Sequence, residues 1–172
     1  MRDTTTPPPT CTVRSAVGSD LEFLIHSNAA LARETESLEL EPKRLALGVQ
    51  LALGDPQRGQ YLVAEEQGLR VGCLLITREW SDWRAGWVWW IQSVFVVPAA
   101  RGRGVYRALH AEVVARARES ADVVGLRLYV DRDNLRARAV YEREGLRASH
   151  YLLFEAGDPL RRAPAHDSDA RP

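Results

Sequence analysis

Apolar and polar residues alternate with a period near two over residues 11–15, which predicts a short first strand. The period then lengthens. Ser19-Asp20-Leu21-Glu22 has the spacing of a capping box, in which a hydroxyl and a carboxylate each satisfy an amide left unpaired at a helix start, so a helix is expected over 20–33. Pro42 suits the first turn of a second helix. Leu45, Val49 and Leu53 continue it at helical spacing until Gly54-Asp55-Pro56 ends it. From Tyr61 the texture is that of strands. Residues 61–64 and 71–77 meet across a Glu66-Gln67-Gly68 turn, and 87–97 follows a polar loop holding Ser81, Asp82, Arg84 and Gly86, which predicts an antiparallel meander. The strand over 87–97 is apolar at nearly every position and calls for cover on both faces. Pro98 and Arg101-Gly102-Arg103-Gly104 then open a helix over 105–120. A strand is expected over 126–130, a helix over 134–144 closed by Gly145, and a last strand over 151–155. The order β-α-α-β-β-β-α-β-α-β contains no internal repeat and predicts an α/β fold, a mixed sheet with helices on both faces.

The chain has 172 residues, enough for one domain with a substantial core and too few for two ordinary ones. Hydrophobic residues at 45% and charged residues at 27% exclude the compositions of disordered, collagenous and coiled-coil chains. Twenty-three basic and twenty-three acidic side chains cancel, so no overall field draws nucleic acid or an anionic membrane. Any bound anion must be gripped locally. The two cysteines, Cys11 and Cys73, both fall in predicted strands, which argues against a disulfide framework and for a reducing, cytoplasmic location. Residues 1–10, with Pro7-Pro8-Pro9, read as a loose arm without the apolar segment of a secretory signal. Residues 157–172, with Pro159, Pro164 and Pro172 among charges, read as a flexible tail, leaving 11–156 as the folded domain. The densest apolar stretch, 87–100, is broken by Gln92 and Ser93 and falls short of a membrane span. Histidines at 26, 110, 150 and 166 lack ligand spacing, so no metal site is expected, and His110 reads as a surface residue.

The chemistry concentrates in the glycine-basic loop. A strand running into such a loop at a helix start aims several amides at one point, and the helix dipole adds positive charge there. Gly102 and Gly104 allow close backbone approach, while Arg101 and Arg103 could supplement the amides at a phosphate. The plain alternative is a solvated turn with incidental arginines. No Lys-Ser or Lys-Thr pair follows, which excludes a nucleotide P-loop. The unit before the loop is an antiparallel hairpin, so a dinucleotide fingerprint fits poorly.

Two segments together resemble the GNAT (Gcn5-related) N-acetyltransferases. Val94-Phe95-Val96-Val97-Pro98-Ala99-Ala100-Arg101-Gly102-Arg103-Gly104 is similar to that family's fourth strand entering its acetyl-CoA pyrophosphate loop, Arg/Gln-x-x-Gly-x-Gly/Ala. Asn134-Leu135-Arg136-Ala137-Arg138-Ala139-Val140-Tyr141-Glu142-Arg143-Glu144-Gly145-Leu146 is similar to its second signature, Asn-x-x-Ala-x-x-Leu-Tyr-x-x-x-Gly-Phe. Neither is specific alone; their order and separation make the pair so, and the resemblance spans nearly the whole folded body. It implies a GNAT-type fold, a central and mostly antiparallel mixed sheet whose fourth and fifth strands splay around a bulge. It further implies acetyl-CoA as cofactor. Amides from Gly102 through Arg103, Gly104, Val105 and Tyr106 to Arg107, helped by Arg101, would hold the diphosphate. The backbone along Val94, Phe95 and Val96 would pair with the pantetheine arm like an added strand. The amide near Val94 would be left for the thioester carbonyl. Asn134 would touch the arm, although capping the helix alone would explain it. One departure stands out: the last small position of the loop is Tyr106, whose ring must point away from the diphosphate or shift the cofactor.

The implied activity is direct acetyl transfer to a primary amine of a small molecule or peptide within a ternary complex. That reaction needs an uncharged nucleophile, stabilisation of a developing oxyanion and a proton for the departing thiolate. Tyr141, one turn beyond Ala137, matches the tyrosine that relatives place beside the CoA sulfur as general acid; a phenol of pKa ~10 suits that task. The plain alternative is a half-buried tyrosine packing on the sheet. The glutamate that several relatives carry on the fourth strand is here Trp90, with Gln92 two residues on, so the base cannot be carried over. Glu34 and Glu36 follow the first helix, and Glu79 and Asp82 flank the loop before the fourth strand. Glu34 and Glu79 are the leading base candidates; Glu36, Asp82 and Gln92 are candidate acceptor contacts. Each carboxylate also reads as simply solvated. All five tryptophans lie between 80 and 90. Trp80 and Trp83 are candidate acceptor contacts, while Trp87, Trp89 and Trp90 read as packing of a central strand. The expected partner is an amine acceptor, not nucleic acid or membrane, with a homodimer left open. Two other classes compete. A non-catalytic acyl-CoA-binding or sensor module is suggested by Trp90 and Tyr106, and a nucleic-acid-binding domain using Arg101, Arg103 and Arg107 is disfavoured by zero net charge. Antibiotic, polyamine, amino acid and protein N-terminus all stay open as acceptors.

Overall fold

Strand-forming residues through the middle of the chain build one sheet, seen in a computed structural model that describes residues 11–154. Its strands are β1 (Thr12–Ser15), β2 (Gln60–Glu66), β3 (Leu69–Ser81), β4 (Gly86–Val96) and β5 (Val123–Leu128), side by side in that order. Neighbours are antiparallel except β4 and β5, which run parallel. The helices are α1 (Leu21–Glu36), α2 (Pro42–Gly54), α3 (Val105–Glu119) and α4 (Leu135–Arg143).

Alternation along β2 sorts the core into two layers. Leu62 and Ala64 face Leu109 and Val113 of α3, whereas Tyr61 and Val63 face Leu24 of α1 and Val49 of α2. Gly72 on β3 shows how closely α3 lies on the sheet, because a Cβ there would stand 2.8 Å from Val105 Cγ1 and 3.1 Å from the Phe95 carbonyl oxygen.

The β3–β4 hairpin is longer than expected, since residues 78–81 continue the strand rather than forming loop. Their polar pattern is overridden by cross-strand packing: Trp80 meets Trp87 edge-on at 5.1 Å, and the Arg78 guanidinium lies 5.3 Å from the centre of the Trp87 ring. Helix α1 also runs on to Glu36, stopping at Ser37 in a left-handed conformation. Its start corrects the capping box. Asp20, not Ser19, organises the turn: fully buried, it accepts the Val17 N–H at 2.8 Å and is gripped by Arg14 from β1 and Arg70 from β3.

Near its end β4 carries a bulge. Between the pairs Cys73–Phe95 and Leu75–Gln92, β3 advances two positions and β4 three, with Ser93 at φ 50°. The ladder to β5 ends at Ile91–Leu128, so on that side Gln92–Val96 runs on without a partner strand among the described residues, while β3 stays paired to its other edge. This is the splay that the resemblance implies. Strand β5 begins and ends earlier than expected, leaving Tyr129 and Val130 beyond it. The expected last strand is not formed: residues 151–154 are exposed and unpaired. Glu155 and the arm and tail assigned to 1–10 and 157–172 lie outside the described residues. No described helix is long and apolar enough to cross a membrane.

Candidate active site

The splay opens a cavity of about 840 Å³ between the end of β4, the start of α3 and the inner side of α4. Val94, Phe95 and Val96 form one wall, and Arg101, Gly102, Gly104, Val105, Tyr106 and Arg107 form its end. Gly102 and Gly104 have φ of 79° and 86°, in the left-handed region, with nothing within 4 Å of where a Cβ would stand. Glycine is therefore required here by backbone shape and leaves open space above the loop. Gly104 is the N-cap of α3 and no side chain caps the helix. The amides of its first turn are left for an external acceptor, in the positive field of the helix end.

The two loop arginines are already engaged. Arg101 donates to the Val96 carbonyl at 3.0 Å and to Glu34 at 2.7 Å, with its guanidinium 5.9 Å from the centre of the Phe95 ring. Glu34, a candidate base from the sequence, thus lies on the wall of this cavity as the ion-pair partner of its loop. Arg103 turns away to Glu66 at 2.6 Å and is not among the lining residues.

Tyr106, the departure from the family pattern, points its side chain inward. Its ring stacks on His110 at 5.9 Å and meets the ring of Tyr141 edge-on at 5.3 Å. Its hydroxyl is buried and has no hydrogen-bond partner among the described residues. His110 is buried rather than at the surface, because α3 turns this face onto α4, where His110 Nδ1 stands 3.9 Å from Glu144 Oε2. Burial lowers the pKa of His110, with Glu144 opposing, and raises those of Tyr106 and Tyr141. Both phenols keep their protons at neutral pH.

Asn134 caps α4 by accepting the Ala137 N–H at 3.0 Å and also lines the cavity, which fixes the start of the helix that carries Tyr141. Tyr141 stands in the wall of this cavity and of a second one, about 770 Å³, bounded by the end of β5, the outer side of α4 and residues 146–153. The second cavity is partly aromatic. Trp90 stacks on Tyr129 at 4.4 Å and gives its indole N–H to Glu79 at 2.6 Å. Glu79 also receives Arg127 at 3.1 Å, so this candidate base is held by two donors and lines neither cavity.

Trp90 is thus a cavity wall, not merely strand packing. The remaining acceptor candidates do not reach either cavity. Trp80 is spent on Trp87, and Trp83 is 91% exposed at the hairpin tip, where Asp82 accepts its N–H at 2.9 Å. Gln92 donates across the ladder to Thr77 at 2.5 Å, and Glu36 is exposed at the end of α1. For Trp80, Asp82 and Trp83 the length of the β3–β4 hairpin is the reason, because it carries 80–83 out along the strands instead of folding them as a loop. Sequence reasoning missed Tyr129, Arg138, Glu142 and Arg147 in the second cavity and Glu144 in the first. The helical spacing of 138, 141 and 142 was the one available signal.

Residues 25–146 match the acetyltransferase (GNAT) family. A possible acetyltransferase of Clostridium difficile 630 is 34% identical, with a TM-score of 0.80, covering 86% of this chain and 97% of that one. A transcriptional regulator of Bacillus halodurans C-125 is 27% identical at a TM-score of 0.73, covering 86% of this chain and 99% of that one. A predicted acetyltransferase of Clostridium acetobutylicum, solved with acetyl-CoA, shares the fold at 18% identity and a TM-score of 0.69, covering 85% and 96%. No curated protein matches the sequence.

Proposed function

The chain belongs to the GNAT acetyltransferase family, and from that premise we propose that it moves an acetyl group from acetyl-CoA to a primary amine of a small molecule or peptide, directly and in a ternary complex. The observation that carries this reading is the position of Tyr141 in the shared wall of two cavities, one suited to each reactant. The first fits the cofactor by its own features: an uncapped helix start, glycines shaped for close approach and the end of β4, whose edge is free on the β5 side.

Amides from Gly102 to Arg107 hold the diphosphate, the backbone of Val94, Phe95 and Val96 pairs with the pantetheine arm, and Asn134 borders it. Arg101 acts by bracing the loop against β4 and Glu34. Bound acetyl-CoA would supply a thioester carbonyl open to attack by an amine. The Val94 amide, next to the bulge, is the donor for that carbonyl oxygen. The Tyr141 phenol, protonated and half-buried, holds a proton for the sulfur. Glu142, exposed on the second cavity's wall, is the carboxylate left to receive the ammonium or its proton, because Glu34 and Glu79 are each committed to an arginine. Holding both reactants in one cleft supplies much of the rate.

Thiol release from acetyl-CoA, measured with a panel of small amines, polyamines, amino acids and peptides, tests the reading. Turnover with at least one amine is expected; cofactor binding with no turnover on any would overturn it. Tyr106, standing where relatives have a small residue, favours a second reading, a non-catalytic acyl-CoA-binding module, and that same outcome in calorimetry would establish it.

A further inference from the structure

We infer that the acceptor is a small amine that also bears a carboxylate, carried on an apolar or aromatic body. This rests on the acetyl-transfer reading above and specifies its substrate. The second cavity, on the far side of Tyr141 from the cofactor loop, has an unequal charge lining. Arg84, Arg127, Arg138 and Arg147 face it, and Glu142 is the sole acidic residue of its lining among the described residues. Among the described residues, Arg127 is the one arginine of these that is ion-paired, to Glu79 behind the wall. Arg84 and Arg138 donate only to backbone carbonyls, of Val124 at 3.5 Å and Arg132 at 3.1 Å. Arg147 makes no hydrogen bond or ion pair among the described residues. Unpaired guanidinia with free forks select planar oxyanions and repel further positive charge.

The lone carboxylate sits where an amine has to arrive. Glu142 follows Tyr141 on α4, so an ammonium drawn to it lies beside the wall shared with the cofactor. The substrate's own carboxylate then meets Arg138 and Arg147. The rest of the lining offers an apolar surface for the body of the molecule: Trp90 stacked on Tyr129, with Leu128 and Leu146. A volume of about 770 Å³ suits a compact molecule and leaves room for water. A polyamine or an aminoglycoside would bring several positive charges to a lining that offers one negative partner among the described residues.

The test uses the full chain and matched amines that differ by the carboxylate alone: phenylalanine against 2-phenylethylamine, and leucine against 3-methylbutylamine. Rates of thiol release are corrected for the neutral fraction of each amine, and CoA binding is followed separately by calorimetry. The carboxylate-bearing member is expected to have a kcat/KM about 10- to 100-fold higher, the worth of a hydrogen-bonded charge. Arg147→Glu is expected to cut that ratio by about tenfold or more through KM, with CoA affinity unchanged. Ratios at or below one, or a preference for spermidine, with CoA binding intact, overturn the inference and leave acetyl transfer standing. Failure to bind CoA, or to acetylate any amine, overturns the underlying reading as well.

Discussion

Replacing Asp20 by asparagine removes one charge from the most enclosed ionic site in the fold while keeping its shape. The carboxylate is fully buried and accepts from Val17 N at 2.8 Å, Arg14 at 2.7 and 3.0 Å, and Arg70 at 2.5 Å. Asparagine can still accept from Val17, but its amide nitrogen then points donor to donor at a guanidinium. Breaking a buried pair from one side typically costs about 3–5 kcal/mol. Here both arginines are 34% exposed and Arg14 keeps Glu65, so screening places the loss near the low end, about 3 kcal/mol. The pH dependence has a definite sign. The two guanidinia hold Asp20 well below the usual aspartate range, so its contribution is complete above the unfolded value of ~3.9 and is lost as pH falls toward the native one. Between pH 7 and pH 3 the gap between wild type and variant should therefore narrow by about 1 kcal/mol. Urea unfolding followed by tryptophan fluorescence at both pH values measures it. A variant within 1 kcal/mol of wild type at pH 7, or a gap that widens in acid, would refute the reasoning.

Tyr141→Phe is expected to lower kcat by about 10²- to 10⁴-fold while calorimetric CoA affinity changes less than about threefold; an unchanged kcat removes the phenol from the acid role. In the wild type, burial raises this phenol, so any basic limb that it causes lies above pH ~10. Tyr106→Phe removes a buried hydroxyl that has no partner among the described residues and should stabilise the protein by about 1 kcal/mol in thermal or chemical unfolding. A loss of similar size would mean that the hydroxyl is bonded.

Much of the scaffold was legible because local rules and tertiary packing agree. Pro42 opens α2, Asn134 caps α4, and the strand-rich texture after Tyr61 becomes the meander. The shape of the loop over 101–104 was legible for the same reason: its glycines answer a backbone requirement that sequence states directly. Illegible features depend on contacts across elements. Residues 78–81 look like loop until Trp80 packs on Trp87, and Glu34 looks like an acceptor-side carboxylate until three further residues of α1 bring it against Arg101. The charged lining of the second cavity comes from β5, α4 and the segment beyond, with each arginine unremarkable in its own neighbourhood. Of the strand expected over 151–155, residues 151–154 are apolar enough but find no partner strand among the described residues.

A crystal structure of the protein with CoA puts the account to its most direct trial. The diphosphate should lie within hydrogen-bond distance of amides between Gly102 and Arg107, with the pantetheine along Val94–Val96 and the sulfur close to the Tyr141 hydroxyl. CoA bound elsewhere, or seated at the loop with its sulfur remote from Tyr141, would contradict it.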